Sequence, residues 1–476
     1  MTSPRKKQVI ICGFARSGST LLYNMLRHAC PDIVAPEQES SALSLLYQDV
    51  DSCLSKRPLD VFRIDELRKA NAERKDLRLV ITVRDPRALV CSIHRRVPMQ
   101  WFQGFDHSFF VLPDGLSFCH PGLMATHRAA SRACRSGLPI LVCHYEELVL
   151  APERVQRRLA EFTGFDMKYA FADFHSSEIP PPLQPQLNGV RSLDQSRLRP
   201  WLEDARLAER IVRQFQLEPK LFDVMTAWGY EQSRDWFDEL AARVSQAHVN
   251  RQGTIVSFFT EGTRYEKEAA RLAHTARRLG LPIDIAAVPD RGNWLKNVRF
   301  KARFLREKRK QLRGPLLWID ADAVLRADPW PYLAEYDGDM AVATHNDGHL
   351  ISATLWLNDT VACRTALDRW HKGMAADPAI NDQLALERIV NESRSEWPHA
   401  AYRFQYLPPS LCYVFDRTKR QFPEVVPIIE QLQASREIRL DGKNNQENLA
   451  RRHARIAELE RELELADTNS AASQPS

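Results

Sequence analysis

No apolar run in these 476 residues approaches the roughly 20 residues needed to cross a bilayer, so no transmembrane segment is expected. The apolar stretch Val9 to Cys12 near the start is far shorter than the core of a secretory leader. The nine cysteines (Cys12, Cys30, Cys53, Cys91, Cys119, Cys134, Cys143, Cys363, Cys412) form no Cys-x-x-Cys pair and show no disulfide-like spacing. They read as reduced core thiols of a cytoplasmic protein. A strong excess of one charge is also missing: 66 basic against 61 acidic residues leave a formal +5. That balance makes no case for nucleic acid or a membrane surface, and it suits small acidic ligands. There is no internal repeat.

What is present is material for more than one core. At roughly 150 residues per domain the length predicts two or three domains, and two fit the pattern. With 44% hydrophobic and 27% charged residues, the composition is that of a globular chain. Short β-rich apolar runs alternate with helical patterns in the first half, which predicts an α/β fold with a parallel sheet. Strands are expected at 8–13, 77–83 and 139–145. The proline-rich stretch 179–200 predicts an ordered loop or lid. A second βαβ series follows, with strands 254–260, 283–288 and 316–319 and helices 265–279 and 294–312 between them. The domain boundary therefore falls near residue 250. Leu449, Ile456, Leu459 and Leu463 have a/d spacing in a charged segment, which predicts a short C-terminal helix with a short coiled coil over 443–466 as the contact for a homo-oligomer. Residues 467–476 are expected to form a disordered tail.

The first strand runs into Gly13-Phe-Ala-Arg16-Ser17-Gly18-Ser19-Thr20-Leu21-Leu22 and then a helical pattern. Such a strand, loop and helix aims backbone N–H groups at an anion. The spacing of Gly13 and Gly18 is close to a nucleotide-triphosphatase P-loop, but Ser19 replaces its lysine and Arg16 brings a cation inside the loop. Arg16 to Leu22 resembles the 5′-phosphosulfate loop of sulfotransferases that use 3′-phosphoadenosine 5′-phosphosulfate (PAPS). A second motif runs from Leu79 to Arg96, with Arg84 ending an apolar strand and Asp85 and Pro86 opening a helix. Arg84 and Ser92 resemble that family's 3′-phosphate pair, an arginine leaving the strand and a serine two turns into the helix. The stretch around Tyr145-Glu146 and the Trp228-Gly229-Tyr230 ending are also similar to the family, so the likeness spans residues 8–231.

By this resemblance residues 1–235 are a P-loop-like sulfotransferase domain, followed by a linker helix over 236–251. Arg16, Ser17, Gly18, Ser19 and Thr20 would hold the 5′-phosphosulfate, with Arg16 also stabilising the leaving phosphate. Arg84 and Ser92 would select the 3′-phosphate. Relatives place a base shortly after the first helix, where Glu37 is the first candidate and Glu39 the second. His94, His107, His120 and His144 are read as structural. The rival for this half is a P-loop kinase or ATPase with Asp85 as its magnesium-side carboxylate, and the missing lysine argues against it.

In the second half Asp320 and Asp322 follow an apolar strand, and residues i and i+2 can converge on one cation. This resembles the Asp-x-Asp motif of GT-A glycosyltransferases, in which Mn²⁺ or Mg²⁺ bridges aspartates and a sugar-nucleotide diphosphate. The resemblance implies a GT-A-like, Rossmann-like α/β domain over 252–435. Thr260 and Gly262 would receive the nucleotide and Lys301 its charge, while Asp382, in Ile380-Asn381-Asp382-Gln383, would contact acceptor or donor or else be an ordinary acid at a helix start. His345 and His349, flanking Asn346-Asp347-Gly348, are weaker candidates for a third metal ligand. The expected whole is a bifunctional transferase acting on a glycan or small-molecule acceptor. The alternative makes the second domain a non-catalytic carbohydrate-binding scaffold.

Overall fold

The computed structural model describes residues 6–94, 100–111, 117–176, 178–187, 193, 195, 198–244, 253–345, 347–437 and 445–472. Parts of the expected lid (188–192, 194, 196 and 197), of the linker helix (245–251), of the loop at Asn346, of the oligomer segment (443 and 444) and of the tail (473–476) lie outside the described residues. The chain divides into two compact units: Met1–Ser92 with Trp101–Phe105 and Pro121–Val244, and Ile93–Gln100 with Asp106–His120 and Ser245–Ser476.

Strands β1 (Lys6–Gly13), β2 (Ser52–Lys56), β3 (Lys75–Val83), β4 (His107–Val111), β5 (Ser117–Pro121) and β6 (Ile140–His144) come first. The first unit is built on a four-stranded sheet in the order β2-β1-β3-β6, parallel throughout. Its strand β1 is apolar from Val9 to Cys12 because both faces are covered, and the buried Gln8 before them donates to Ala42 O. Ile10 and Cys12 enter one core with Leu79, Ile81 and Val83, whereas Val9 and Ile11 enter the other with Leu54, Val80 and Cys143. β2 was not expected: Ser-Cys-Leu-Ser-Lys carries no apolar run, yet Cys53 to Lys56 are buried. Register then aligns Lys56 with Ile11, near the loop that leaves β1.

One local expectation is corrected. Asp85 caps the helix Pro86–Val90 as predicted, its side chain accepting from Arg87 N, but the helix ends at Val90 and Ser92 lies beyond it. Ser92 N–H turns back to Leu89 O at 3.0 Å, and Ser92 O accepts from Phe102 N at 2.7 Å, so the chain peels away from the helix.

The second unit adds β7 (Thr254–Thr260), β8 (Ile283–Val288), β9 (Leu316–Ile319), β10 (Ala323–Leu325), β11 (Met340–Thr344), β12 (Leu350–Leu357), β13 (Phe404–Tyr406), β14 (Tyr413–Val414) and β15 (Ile429–Gln431). Six align as β13-β11-β12-β9-β7-β8, and β10, β15 and β14 make a smaller sheet. β7 and β9 are parallel, while β12 runs antiparallel to β9. Alternation again divides the side chains: Val256, Trp318 and Leu355 face one core, and Ile255, Leu317 and Ile319 the other. β4 belongs to this unit, where the Phe109 ring stacks on Tyr406 with centroids 4.1 Å apart.

The C-terminal helix spans Asn445–Ala472, which carries it into the stretch beyond 466. Leu459 is 1% exposed and packs with Ile456 on Val324 and Leu432 of the same unit. Two of the four heptad positions thus pack within the chain. Among the described residues no helix is long and apolar enough to cross a membrane.

Candidate active sites

At the C-terminal end of β1 the backbone turns sharply. Gly13 has φ 123°, and a Cβ there would meet Thr82 O at 2.6 Å. Gly18 has φ 81°, and its Cβ would lie 2.4 Å from Cδ2 of Tyr145. Arg16 adopts φ 65° without being glycine, a conformation that costs roughly 1–2 kcal/mol and that concentrates at functional loops. The helix Ser19–Ala29 follows, presenting the positive end of its dipole to the loop.

Three residues far apart in sequence meet there. Arg16 Nε donates to Ser92 Oγ at 3.1 Å, and Arg84 Nη1 donates to Arg16 O at 3.2 Å. The Arg84 guanidinium lies over the Tyr145 ring at 4.5 Å, and Arg16 over Phe102 at 5.3 Å. Tyr145 therefore backs both Gly18 and Arg84. Ser17 differs: its hydroxyl donates inward to Phe14 O at 2.5 Å and lies 2.7 Å from Thr82 Oγ1. Its side chain braces the loop. Ser19 is buried and Thr20 half-buried at the helix start.

Asp85 is committed elsewhere. Arg87 donates to both of its carboxylate oxygens, at 2.8 to 3.2 Å, and Asp85 N–H donates to Glu146 Oε1 at 2.9 Å. Glu146 Oε2 in turn accepts from Tyr230 at 2.9 Å, so the Tyr-Glu stretch and the Trp-Gly-Tyr ending brace the strand end that carries Arg84. Glu37 and Glu39 are both exposed. Glu39 is paired with the buried ammonium of Lys56 at 2.5 Å, a partner sequence reading missed because β2 was not recognised. His144 sits 3.2 Å from the Tyr230 hydroxyl and His107 2.7 Å from Asp106 Oδ1.

In the second unit Asp320 and Asp322 follow β9 as expected. Asp320 Oδ1 accepts from Trp318 Nε1 at 2.9 Å and faces Lys301 Nζ at 3.0 Å. The same ammonium reaches Asp382 Oδ2 at 2.9 Å, Ser352 O at 3.1 Å and Ser352 Oγ at 3.2 Å. Ser352 Oγ closes the network by donating to Asp382 at 2.8 Å. Burial alone would lower the Lys301 pKa, but the two carboxylates outweigh it and hold the lysine charged. Asp382 begins the helix Asp382–Ser395 and is 6% exposed, so its carboxylate is an internal counter-ion. Sequence reading named Lys301 and Asp382 as site residues and did not name Ser352, which links them, or Trp318, which donates to Asp320 and lies under the Lys301 ammonium.

Asp322 is 8% exposed, with Oδ2 accepting from Ala434 N at 2.5 Å. Burial first, and the negative charge of Asp320 second, push its pKa up to about 6. Two carboxylates that repel one another on a desolvated strand end fit a divalent cation, which would relieve both effects. Among the described residues no group of three or more His, Cys, Asp or Glu side chains is placed to share an ion. His345 N–H donates to His349 O, and His349 lies 3.7 Å from Glu387. The two aspartates would share the cation with substrate oxygens and water. In the turn after β7, Gly262 N–H donates to Glu266 Oε1 at 2.7 Å, Thr263 Oγ1 donates to Thr260 O at 2.6 Å, and a Cβ on Gly262 would meet open space.

Comparison with known proteins finds two families along the chain. A family model described as sulfotransferase domain matches residues 6–178, and one described as nucleotide-diphospho-sugar transferase matches residues 286–445. The search of curated proteins returns no match. Among solved structures, a glycosyltransferase involved in glycosylation of the major capsid of PBCV-1 is 11% identical, with 41% of this chain and 98% of that one covered and a TM-score of 0.31. The sulfotransferase domain of the Synechococcus PCC 7002 olefin synthase is 14% identical, covering 43% and 90%, with a TM-score of 0.28. The galactosyltransferase LgtC is 10% identical, covering 37% and 86%, with a TM-score of 0.25. On the two family models, the chain joins a sulfotransferase domain to a nucleotide-diphospho-sugar transferase domain.

Proposed function

We propose that the first domain transfers a sulfuryl group from PAPS to a hydroxyl of a glycan or glycosylated small molecule, and that the second transfers a glycosyl group from a nucleotide sugar with Mn²⁺ or Mg²⁺. The observation that carries the first half is the meeting of Arg16, Arg84 and Ser92 around a left-handed turn at a helix start. In this reading Arg84 and Ser92 bind the 3′-phosphate, and Arg16 with the amides of Ser17 to Thr20 binds the 5′-phosphosulfate. The acceptor oxygen forms a bond to sulfur as the bond from sulfur to the 5′-phosphate oxygen breaks. Its electron pair leaves on adenosine 3′,5′-bisphosphate, whose new charge Arg16 and the helix start stabilise. Glu37 takes the acceptor proton. Glu39 is the second choice, since its carboxylate is engaged by the Lys56 ammonium.

For the second half the carrying observation is the Asp320, Asp322 and Lys301 arrangement. Asp320 and Asp322 would hold the cation, which supplies charge neutralisation at the departing diphosphate. Lys301 adds a fixed ammonium beside them, with Asp382 and Ser352 orienting it, and the turn from Thr260 to Gly262 borders the nucleotide. The pairing of Asp85 with Arg87 weighs against a kinase, because it leaves that carboxylate engaged. Titration with adenosine 3′,5′-bisphosphate and separately with ATP and magnesium tests the first half. Preference for ATP overturns it. Sugar-nucleotide hydrolysis that requires Mn²⁺ or Mg²⁺ and is lost in Asp320→Asn tests the second, and its absence returns that domain to the scaffold alternative.

A further inference from the structure

The C-terminal helix lies outside the chemistry assigned so far, yet it carries an arginine that is 1% exposed. Arg452 Nε donates to Leu432 O at 2.9 Å, and its two terminal nitrogens donate to Glu437 and Glu268. Glu268 stands on the helix Tyr265–Arg278, which starts just after the turn from Thr260 to Gly262. Its other oxygen accepts from Arg271 at 2.6 Å, and Arg271 also holds Glu460 of the C-terminal helix at 3.0 Å. A buried guanidinium with all three of its arms engaged fixes what it touches.

Leu432 opens a turn that wraps Asp322. Leu432 N–H donates to Asp322 O at 3.0 Å, and Ala434 N–H donates to the carboxylate at 2.5 Å. Between them Gln433 has φ 58°, a left-handed conformation that a non-glycine residue keeps only when its surroundings enforce it. Arg452 supplies that enforcement at the carbonyl on one side, and through Glu437 beyond the other. Ile456 and Leu459 press the same helix onto Leu432 and Val324.

We infer that Arg452 is a positioning residue for the metal and donor site: the C-terminal helix holds the turn 432–434 in the form that aims an N–H at Asp322. This rests on the reading of Asp320 and Asp322 as metal ligands. The aspartate motif is then incomplete without a helix more than a hundred residues downstream.

The test is Mn²⁺ binding to the full chain, followed by electron paramagnetic resonance in separate titrations with UDP and GDP. Arg452→Gln and Arg452→Lys are expected to weaken Mn²⁺ by roughly 10- to 100-fold, the range for residues that orient metal ligands. Both should keep the near-ultraviolet circular dichroism and the unfolding transition that the unaltered chain shows for its second unit, and that control reports a folded protein. Adding Gln433→Gly, which removes the strain Arg452 opposes, is expected to recover part of the lost affinity; a residue that merely stabilised the fold would give no such recovery. Full Mn²⁺ affinity in a folded Arg452→Gln chain overturns the inference, as does loss of affinity with no recovery in the double variant. Failure of the unaltered chain to bind Mn²⁺ with either nucleotide overturns the reading of the site, and the inference with it.

Discussion

Truncating Arg84 to alanine gives the sharpest test of the first domain, because the loss should depend on which phosphate the ligand carries. The Arg84 guanidinium stands over Tyr145 at 4.5 Å and donates a hydrogen bond to Arg16 O, and its planar fork of donors suits the oxygens of a phosphate. A hydrogen bond to a charged group contributes about 1.5–3 kcal/mol. Removing one or two shared with a phosphate should cost about 2–3 kcal/mol, or roughly 30- to 150-fold in dissociation constant. At a ligand concentration of roughly 100 times the original constant, stabilisation would fall from about 2.7 to about 0.4 kcal/mol for a hundredfold loss. For a unit of this size that is a melting shift of about 5–10 °C shrinking to about 1 °C. Calorimetric titration of adenosine 3′,5′-bisphosphate measures the ratio directly, and adenosine 5′-phosphate, which lacks the 3′ group, is the control. Arg84→Ala should leave the control within a few-fold. Equal weakening of both ligands would refute the assignment, since it would mean that Arg84 shapes the loop through Arg16 O and not the 3′ pocket.

Glu37→Gln should lower the turnover of sulfuryl transfer by roughly 10²- to 10⁴-fold with bisphosphate binding unchanged, and Glu39→Gln should do so less; the reverse order in steady-state kinetics would exchange their roles. Mn²⁺ binding should weaken as pH falls through about 6, because burial and Asp320 raise the Asp322 pKa and a proton then competes with the ion; titrations at pH 5 and 7.5 measure it. The sign for the metal-free chain is opposite. An acid whose pKa rises on folding destabilises the native state above that value, so this group's contribution to stability should improve as pH drops toward its ordinary value of 3.8. Phe109→Ala, at a ring 1% exposed and stacked on Tyr406, should cost the second unit about 3–5 kcal/mol in chemical denaturation.

Elements whose signal is local were legible. β1, β3, β7, β8 and β9 declare themselves as apolar runs, and Asp85-Pro86 marks its helix start because the cap and the proline act within one turn. β2 was hidden because its burial is imposed by neighbours and not by its own Ser-Cys-Leu-Ser-Lys composition. The helix expected to carry Ser92 stops early, since a β-type pairing with Phe102 outcompetes a propensity that the sequence shows and the packing overrides. Strand β4 gives a related lesson. Phe109 reads as an ordinary apolar residue, and only the fold pairs it with Tyr406, almost three hundred residues later in the sequence.

The two sites divide in the same way. The aspartates at 320 and 322 could be recognised because they stand two residues apart just beyond an apolar strand, a signal local to the sequence. Their electrostatics could not, because the groups that set them come from Lys301, Ser352, Asp382 and Ala434, each delivered by a different element. That distribution has a physical reason. A carboxylate pair on a desolvated strand end repels itself, so a stable apo fold needs cations and N–H donors from outside the strand. Lys301 answers for Asp320 and the turn at Ala434 answers for Asp322, and both must remain in place while leaving room for an ion. The burden therefore falls on the residues behind them. Asp382 and Ser352 fix Lys301, and Arg452 fixes the turn, so substitutions at these positions should weaken the site through the aspartates they hold in place.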